Sequence, residues 1–373
     1  MRPEKTEKFD SVLILGPSEK SRGGVRNYVD ILLASPLHEE FDLQVFPLGS
    51  EGSEEGIVKA IWRSVRTPMR LFFTILNEKP GIVHLNPSFN KAFWRDSINV
   101  LICKLFRVPT LVQFHGGRPL ELFIRWKPLN PLMRWLLCSS DRILVLSKEQ
   151  QQEFFMCVPG KNIQLIPIMI DSQAYCASKK SEKSEDFRVL FLSRLVRQKG
   201  IYDLVEAIPD VLQQAPNAEF HIAGVGPESE HLGRLIALSG LEKKVKLHGF
   251  VIGKEKISLL AASHLFVFPT YYPEGFPAVI LEAMAAGLPI ITCSSGAIKD
   301  LIEEGVNGFL IPPKSPDVLA NTIAQFCNNP EFSFQMGLRN RQKVEDLYDV
   351  RVISRTVSSI YRQLLRSENG CQV

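Results

Sequence analysis

Short apolar runs separated by amphipathic stretches recur along the whole chain. In the first half they fall at Val12 to Leu15, Leu43 to Pro47, Ile82 to Leu85, Thr110 to Phe114, Arg142 to Leu146 and Ile163 to Ile166. The rhythm restarts at Arg188 to Leu192, Glu219 to Ala223, Val245 to His248, Leu265 to Phe268, Ile290 to Thr292 and Phe309 to Ile311. Runs of this length read as buried strands, and the amphipathic segments between them as crossover helices, the alternation that builds parallel sheets. Two sets of six predict an α/β protein of two doubly wound, Rossmann-like lobes. Between them, Ser178 to Asp186 is polar and charged, as linkers are, and places the boundary near 172 to 187. The expected domains are therefore residues 1 to 175 and 187 to 345. Val352 to Leu365 reads as a further helix with Tyr361 on its apolar side. Because open parallel sheets bind ligands beyond the carboxyl ends of their strands, two facing sheets predict a deep cleft between the lobes, with the chemistry in loops that follow strands.

Length and composition agree with this division. A chain of 373 residues is too long for one ordinary core and suits two. The seven cysteines are odd in number and never spaced Cys-x-x-Cys, which argues against a disulfide framework or a thiolate zinc site and for a reducing cytosol. No signal peptide is visible behind the charged N-terminus, and no run of about 18 uncharged apolar residues is available to cross a bilayer.

The net charge of +4 hides an asymmetry, since residues 57 to 135 hold 13 Lys or Arg against 3 Asp or Glu. There the basic residues alternate with large apolar ones, as in Trp62, Arg66, Met69, Arg70 and Phe73, and again in Ile124, Arg125, Trp126 and Lys127. Such segments suit an anionic membrane surface, or else helices whose apolar face is buried and whose cations are solvated. Nucleic acid is not expected as a partner, because no recognition module accompanies the charge.

The densest chemical signal runs from Phe268 to Pro289. A buried strand ends near Pro269, a polar loop carries Glu274 and Gly275, Pro277 suits the first turn of a helix, and Gly287 closes it. Free N–H groups at such a helix start make a pyrophosphate site, here bounded by Glu274, Gly275, Phe276 and Pro277. Glu282 follows about five residues into the helix, roughly 7 to 8 Å along the axis, so the two carboxylates can flank a phosphate and accept hydroxyl hydrogen bonds on either side. The plain alternative is an anion favouring a helix start and a surface glutamate. Arg194 and Lys199 follow another strand. Fixed cations there would stabilise the charge on a departing diphosphate. No Asp-x-Asp occurs, so neither a metal nor another cofactor is expected. Gly224-Val225-Gly226 lacks the third glycine of a dinucleotide fingerprint.

The Glu274 to Glu282 segment resembles the Glu-x7-Glu motif of glycosyltransferase family 4, the glycosyl transferases group 1 set with the GT-B fold. Ser193-Arg194-Leu195 through Lys199-Gly200 resembles the same family's element whose Arg and Lys hold the donor diphosphate. Ile222 to Pro227, Val245 to Val251 (with Gly249) and Gly305 to Ile311 match its rhythm. Ser295-Gly296-Ala297 departs from the family's Gly-Gly…Pro-Glu pattern, and Pro167 to Asp171 from its Pro-Asn-Gly-Val-Asp.

The match is weaker in the first lobe. There Gly23-Gly24 resembles the N-terminal Gly-Gly loop, and His115 the histidine near the donor sugar and leaving phosphate; a plain turn and a core histidine stay open as readings. His84 reads as structural or acceptor-side. The resemblance implies a retaining glycosyltransferase that needs no metal, takes a UDP- or GDP-sugar and delivers it to a glycan or lipid-linked acceptor. It places catalysis on Glu274, His115, Arg194 and Lys199, with a terminal helix, 350 to 373, packed on the first lobe, while the cysteine usage and the basic, apolar stretch 57 to 135 predict a cytoplasmic protein peripheral to the membrane's inner face. A nucleotide-sugar epimerase, a sugar phosphorylase or a non-catalytic nucleotide-sugar binder remain the alternatives.

Overall fold

The computed structural model describes residues 10–19, 21, 23–48, 57–87, 93–176 and 186–369. The expected linker, Ser178 to Asp186, lies outside the described residues except for Asp186. Among the described residues there are twelve strands: β1 (Asp10–Pro17), β2 (Phe41–Leu48), β3 (Ile82–Leu85), β4 (Thr110–Phe114), β5 (Arg142–Val145), β6 (Ile163–Leu165), β7 (Phe187–Leu192), β8 (Ala218–Ala223), β9 (Val245–Gly249), β10 (Leu265–Phe268), β11 (Ile290–Cys293) and β12 (Gly308–Ile311). Each lies on one of the apolar runs seen in the sequence.

The chain divides into two compact units, one of residues 1–169 with 350–373 and one of residues 170–349. The first is built on a parallel sheet of order β2-β1-β3-β4-β5-β6 and the second on one of order β12-β11-β10-β7-β8-β9. In the first sheet the strand order reverses between β1 and β3, in the second between β7 and β10. These are the points at which doubly wound sheets hold ligands.

The division comes earlier than the expected 172 to 187. The short helix Ser172–Cys176 packs on the helices Gly253–Ala261 and Ala278–Ala285, so it belongs to the second unit. Hydrophobic pattern alone does not assign so short a helix to a partner.

In the first unit the advance from β2 through β3 and β4 to β5 puts the helices Ile57–Glu78, Phe93–Leu105 and Asn130–Cys138 on one face, by the right-handedness of crossovers. Leu71, Val100 and Met133 from these helices share one core with Leu13, Val83 and Val112 of the sheet. The opposite face carries the helix Gly24–Ala34 and the terminal helix Val350–Asn369, which packs on the Gly24–Ala34 helix and on β3. Tyr361 of the terminal helix is wholly buried.

In the second unit the helix Ile201–Gln214 shows how the pattern becomes packing. Ile201, Leu204, Val205, Ile208 and Val211 recur at helical spacing, and all are buried.

Candidate active site

Both site halves of the second unit hang from the reversal between β7 and β10. After β7 the chain passes Ser193 and Arg194, makes a 3-10 turn over Arg197–Lys199, and enters the helix Ile201–Gln214 through Gly200 at φ 74°. A Cβ at Gly200 would lie 2.1 Å from the Pro269 carbonyl oxygen. Only glycine permits both that conformation and that approach. The loop after β10 is thereby pressed onto the turn, where the Gln198 carbonyl accepts the N–H groups of Tyr271 at 3.0 Å and Tyr272 at 3.1 Å.

This contact fixes Lys199 against Glu274, whose Oε1 takes a hydrogen bond from the ammonium. Thr270 Oγ1 donates to the same oxygen at 3.1 Å. The Lys199 ammonium also sits over the Tyr272 ring, 4.7 Å from its centroid. From the other side Gly296, at φ 54°, closes on the Glu274 backbone: its Cβ would stand 2.0 Å from the Glu274 carbonyl oxygen. The next residue, Ala297, donates its N–H to that oxygen at 3.2 Å, and Ser295 Oγ donates to the Tyr272 carbonyl at 2.8 Å. The segment in which this chain departs from the family pattern is thus what holds the Glu274 loop.

The helix Ala278–Ala285 starts at Pro277, whose ψ of 95° makes it the capping residue and not the first helical one. No side chain caps this start, and its first turn carries no acid. Gly275 is exposed, while Phe276 packs on Tyr348 with ring centroids 6.1 Å apart. At the far end Gly287 (φ 74°) donates to the Met284 carbonyl at 2.9 Å and Leu288 to Ala283 at 3.0 Å, a Schellman closure.

Glu282 is buried, unlike the surface glutamate of the plain reading, and bonds the Lys256 ammonium at 2.6 Å. Tyr175 is the other neighbour of this carboxylate; burial first, and then the Glu282 charge, push its phenol well above 10. Each carboxylate therefore owns one lysine: Glu274 has Lys199, and Glu282 has Lys256. Such half-buried pairs hold geometry more than they add stability, because desolvation offsets the attraction.

Arg194 is exposed, with no side-chain partner among the described residues. Its backbone is held by its neighbours, since Ser193 and Leu195 donate to Ala223 at 3.1 Å and Val225 at 3.1 Å. Gly224 and Gly226 make that approach possible: a Cβ on either would lie 1.8 Å from the Ser193 oxygen or 2.2 Å from that of Leu195. Gly249 ends β9, and its carbonyl accepts the Gly224 N–H at 2.6 Å. It supports this loop at one remove from Arg194.

In the first unit the predicted residues also lie at strand ends, but they are neutral. Gly23, at φ 140°, starts the helix Gly24–Ala34, and a Cβ on Gly23 or Gly24 would meet nothing within 4 Å. Arg26 ties this helix to the end of β1 through the Pro17 carbonyl at 3.1 Å.

His115 follows β4, and its Nε2 lies 2.8 Å from Asn86 Oδ1. The Asn86 amide nitrogen is used on the Leu15 and His84 carbonyls at 3.3 and 3.4 Å, so Oδ1 must accept and His115 must carry its proton on Nε2. The ring packs on Tyr28 with centroids 4.5 Å apart. Burial, and secondarily the neighbouring His84, lower His115 from 6.5 to about 3. It is thus a neutral imidazole with Nδ1 as its acceptor, and not an acid at neutral pH.

His84 is fully buried, with Nδ1 2.7 Å from the Tyr361 hydroxyl. Burial takes it too to about 3. Tyr28 donates to Gln113 Oε1 at 2.6 Å on the same face of the sheet.

Sequence reasoning missed Lys256, Thr270, Asn86, Tyr175 and the clamp by Gly296. Asn86 was legible only as a polar residue at a strand end. Lys256 carried no local signal, since its partner is 26 residues away.

Residues 177–343 match the family model described as Glycosyl transferases group 1. Relatives of the chain include the putative colanic acid biosynthesis glycosyltransferase WcaL of Escherichia coli, 26% identical over 340 residues, which covers 88% of this chain and 80% of that one. The alpha-D-kanosaminyltransferase of Streptomyces kanamyceticus is 25% identical over 71% of this chain and 73% of its own length. Among solved structures, Anabaena Alr3699/HepE in complex with UDP superposes with a TM-score of 0.74 at 20% identity, covering 95% of this chain and 100% of that one. The same protein has been solved with UDP-glucose, at a TM-score of 0.73, 19% identity and coverages of 95% and 99%. The two six-stranded parallel sheets are those of the GT-B fold.

Proposed function

We propose that this enzyme moves a sugar from a nucleotide diphosphate sugar to a hydroxyl acceptor with retention of anomeric configuration. The observation that carries the reading is the Lys199–Glu274 pair at the β7–β10 reversal, with Arg194 exposed on the same loop after β7. Arg194 offers an unengaged guanidinium to the diphosphate. Lys199 has three N–H donors, so it can keep Glu274 and still reach a phosphate oxygen. The uncapped start of the helix Ala278–Ala285 adds N–H groups and a favourable dipole.

In this assignment Glu274 accepts hydrogen bonds from sugar hydroxyls and Glu282 from the nucleoside ribose. As the anomeric bond breaks, Arg194 and Lys199 stabilise the departing diphosphate, which needs no metal, and the attacking hydroxyl loses its proton to that phosphate. In the first unit, neutral His115 can hydrogen-bond a sugar hydroxyl or a phosphate oxygen, and Gly23-Gly24 leave room for such a group.

HepE's complexes with UDP and UDP-glucose make a uridine donor the first choice, with a GDP-sugar second. The biosynthetic role in WcaL's name supports a lipid-linked or cell-envelope glycan as acceptor, reached from the cytoplasmic side of a membrane.

A thermal-shift panel of UDP-, GDP- and ADP-sugars in EDTA tests the donor, because a ligand that binds only the folded state raises its melting temperature. The expected result is a shift with one nucleotide class and sugar transfer only when a hydroxyl acceptor is added. Conversion of the nucleotide sugar with no acceptor would replace this reading with an epimerase, and dependence on inorganic phosphate with a phosphorylase.

A further inference from the structure

The first unit covers one side of its sheet with helices whose outward surfaces are apolar and basic. On the helix Ile57–Glu78 the side chains of Trp62, Met69 and Phe73 are 63%, 57% and 55% exposed. They recur at a spacing of seven and four residues, so they share one stripe that points away from the core. Arg66 and Arg70 stand between them on the same helix, with the Arg66 guanidinium 5.2 Å from the centre of the Trp62 ring. The next two segments of the layer repeat the pattern, with Leu105 71% and Trp135 56% exposed.

Crossover handedness places the three helices on one face of the sheet. Their outward residues therefore belong to one layer and not to separate patches. Among the described residues the three helices carry two acids, the exposed Glu78 at the end of the first and Asp96, which is buried against Arg95 at 2.8 Å; Glu121, on the intervening helix Pro119–Arg125, pairs with Arg118 at 3.4 Å. All four tryptophans of the chain fall between residues 62 and 135, inside the stretch of 13 cations and 3 anions.

We infer that this helical layer is a docking face for an anionic phospholipid bilayer, with Trp62, Met69 and Phe73 entering the interface and Arg66 and Arg70 meeting headgroup phosphates. Charge selects this occupant. A face that is apolar and strongly positive gains from an anionic surface, whereas a second copy would bring like charges together. Interfacial tryptophans beside arginines complete the match, since the ring sits at headgroup depth and the guanidinium binds phosphate. This deepens the membrane-side acceptor reading given above and does not depend on which donor is used.

The test is flotation of the full chain with vesicles of phosphatidylcholine alone and of phosphatidylcholine mixed with phosphatidylglycerol, with tryptophan emission read in the same samples. Binding to the anionic vesicles with an emission shift to shorter wavelength is expected. Trp62→Ser/Met69→Ser/Phe73→Ser should weaken it by at least about tenfold, given roughly 1.5–3 kcal/mol for burying each large side chain. Arg66→Glu/Arg70→Glu should remove the preference for anionic lipid. These positions are exposed, and circular dichroism checks that each variant folds.

Equal binding to both vesicle types, or triple-variant binding at the parent level, would overturn the proposal. So would lipid-free self-association that the triple variant abolishes, which would reassign the face to contact between copies. A UDP thermal shift on the same samples separates the two claims: lost docking with the shift intact refutes only the docking face, and docking with no nucleotide shift refutes only the donor assignment.

Discussion

The two units hold their candidate residues by opposite means. In the second, two carboxylates are set against two lysines, Lys199 with Glu274 and Lys256 with Glu282, on loops locked by backbone contacts at Gly200 and Gly296. In the first, uncharged imidazoles are fixed by neutral hydrogen bonds, His115 by Asn86 and His84 by Tyr361. Charge at the β7–β10 reversal suits the proposed binding of a diphosphate and its stabilisation as it leaves. A neutral, desolvated imidazole can hydrogen-bond a sugar without adding a charge that the reaction does not need.

The contrast breaks most sharply at Glu274. Replacing it with Ala should cost about a thousandfold or more in turnover, the scale of removing a group that contacts the reacting sugar. The fold should survive, because the loop is held through the backbone carbonyl and not the side chain. Unchanged turnover under saturating donor and acceptor would remove the second unit's claim to the chemistry.

Gly296→Ala comes next. The added methyl meets the Glu274 carbonyl at a positive φ, and a loss of about 2–4 kcal/mol by denaturant unfolding is expected, with donor binding weakened alongside. Gly23→Ala offers the control, strained in φ but free of any clash, and should cost less.

Protonation probes the neutral half. His84 and His115 are held near 3 in the folded state against 6.5 unfolded, so the folded state binds fewer protons as the pH falls through that window. Their contribution to stability is full above about 6.5 and is lost progressively below it, at about 1.4 kcal/mol per pH unit for each histidine. His84→Gln should flatten the decline in denaturant stability between pH 6 and 4 by roughly one such slope. An unaltered slope would mean that His84 is not the buried base described here.

The smallest effect sharpens the comparison without breaking it. Long-range nitrogen NMR should find His115 as the Nε2–H tautomer from about pH 5 to 8, and Asn86→Ala should turn it into a mixture with about tenfold slower transfer. A protonated ring at pH 6 in the parent protein would show that the site is not neutral.

The same contrast explains what could be read in advance. All twelve strands were legible, because a strand buried on both faces of a parallel sheet writes itself as a short apolar run. The local pairing of the second unit's candidate residues was legible as well. Arg194 and Lys199 lie within six residues of each other, and Glu274 and Glu282 within nine, so one strand-loop-helix carries each pair. The lysine partners were not legible, since Lys199 meets Glu274 across 75 residues and Lys256 meets Glu282 across two helices. Still less so was the first unit's network, in which His84 finds Tyr361 277 positions away. Gly296 shows a further limit: it stood in a segment noted only as a departure from pattern, yet its missing side chain seats the Glu274 carbonyl.

The proposed site for the donor diphosphate is the loop after β7, where Arg194 is exposed and Lys199 pairs with Glu274. Titration calorimetry of UDP in EDTA, comparing the parent chain with Arg194→Ala, tests it most directly. Binding without metal is expected, with a loss of about 10- to 100-fold in the variant, the worth of one charge-assisted contact to phosphate. Equal UDP affinity in the two proteins would contradict it.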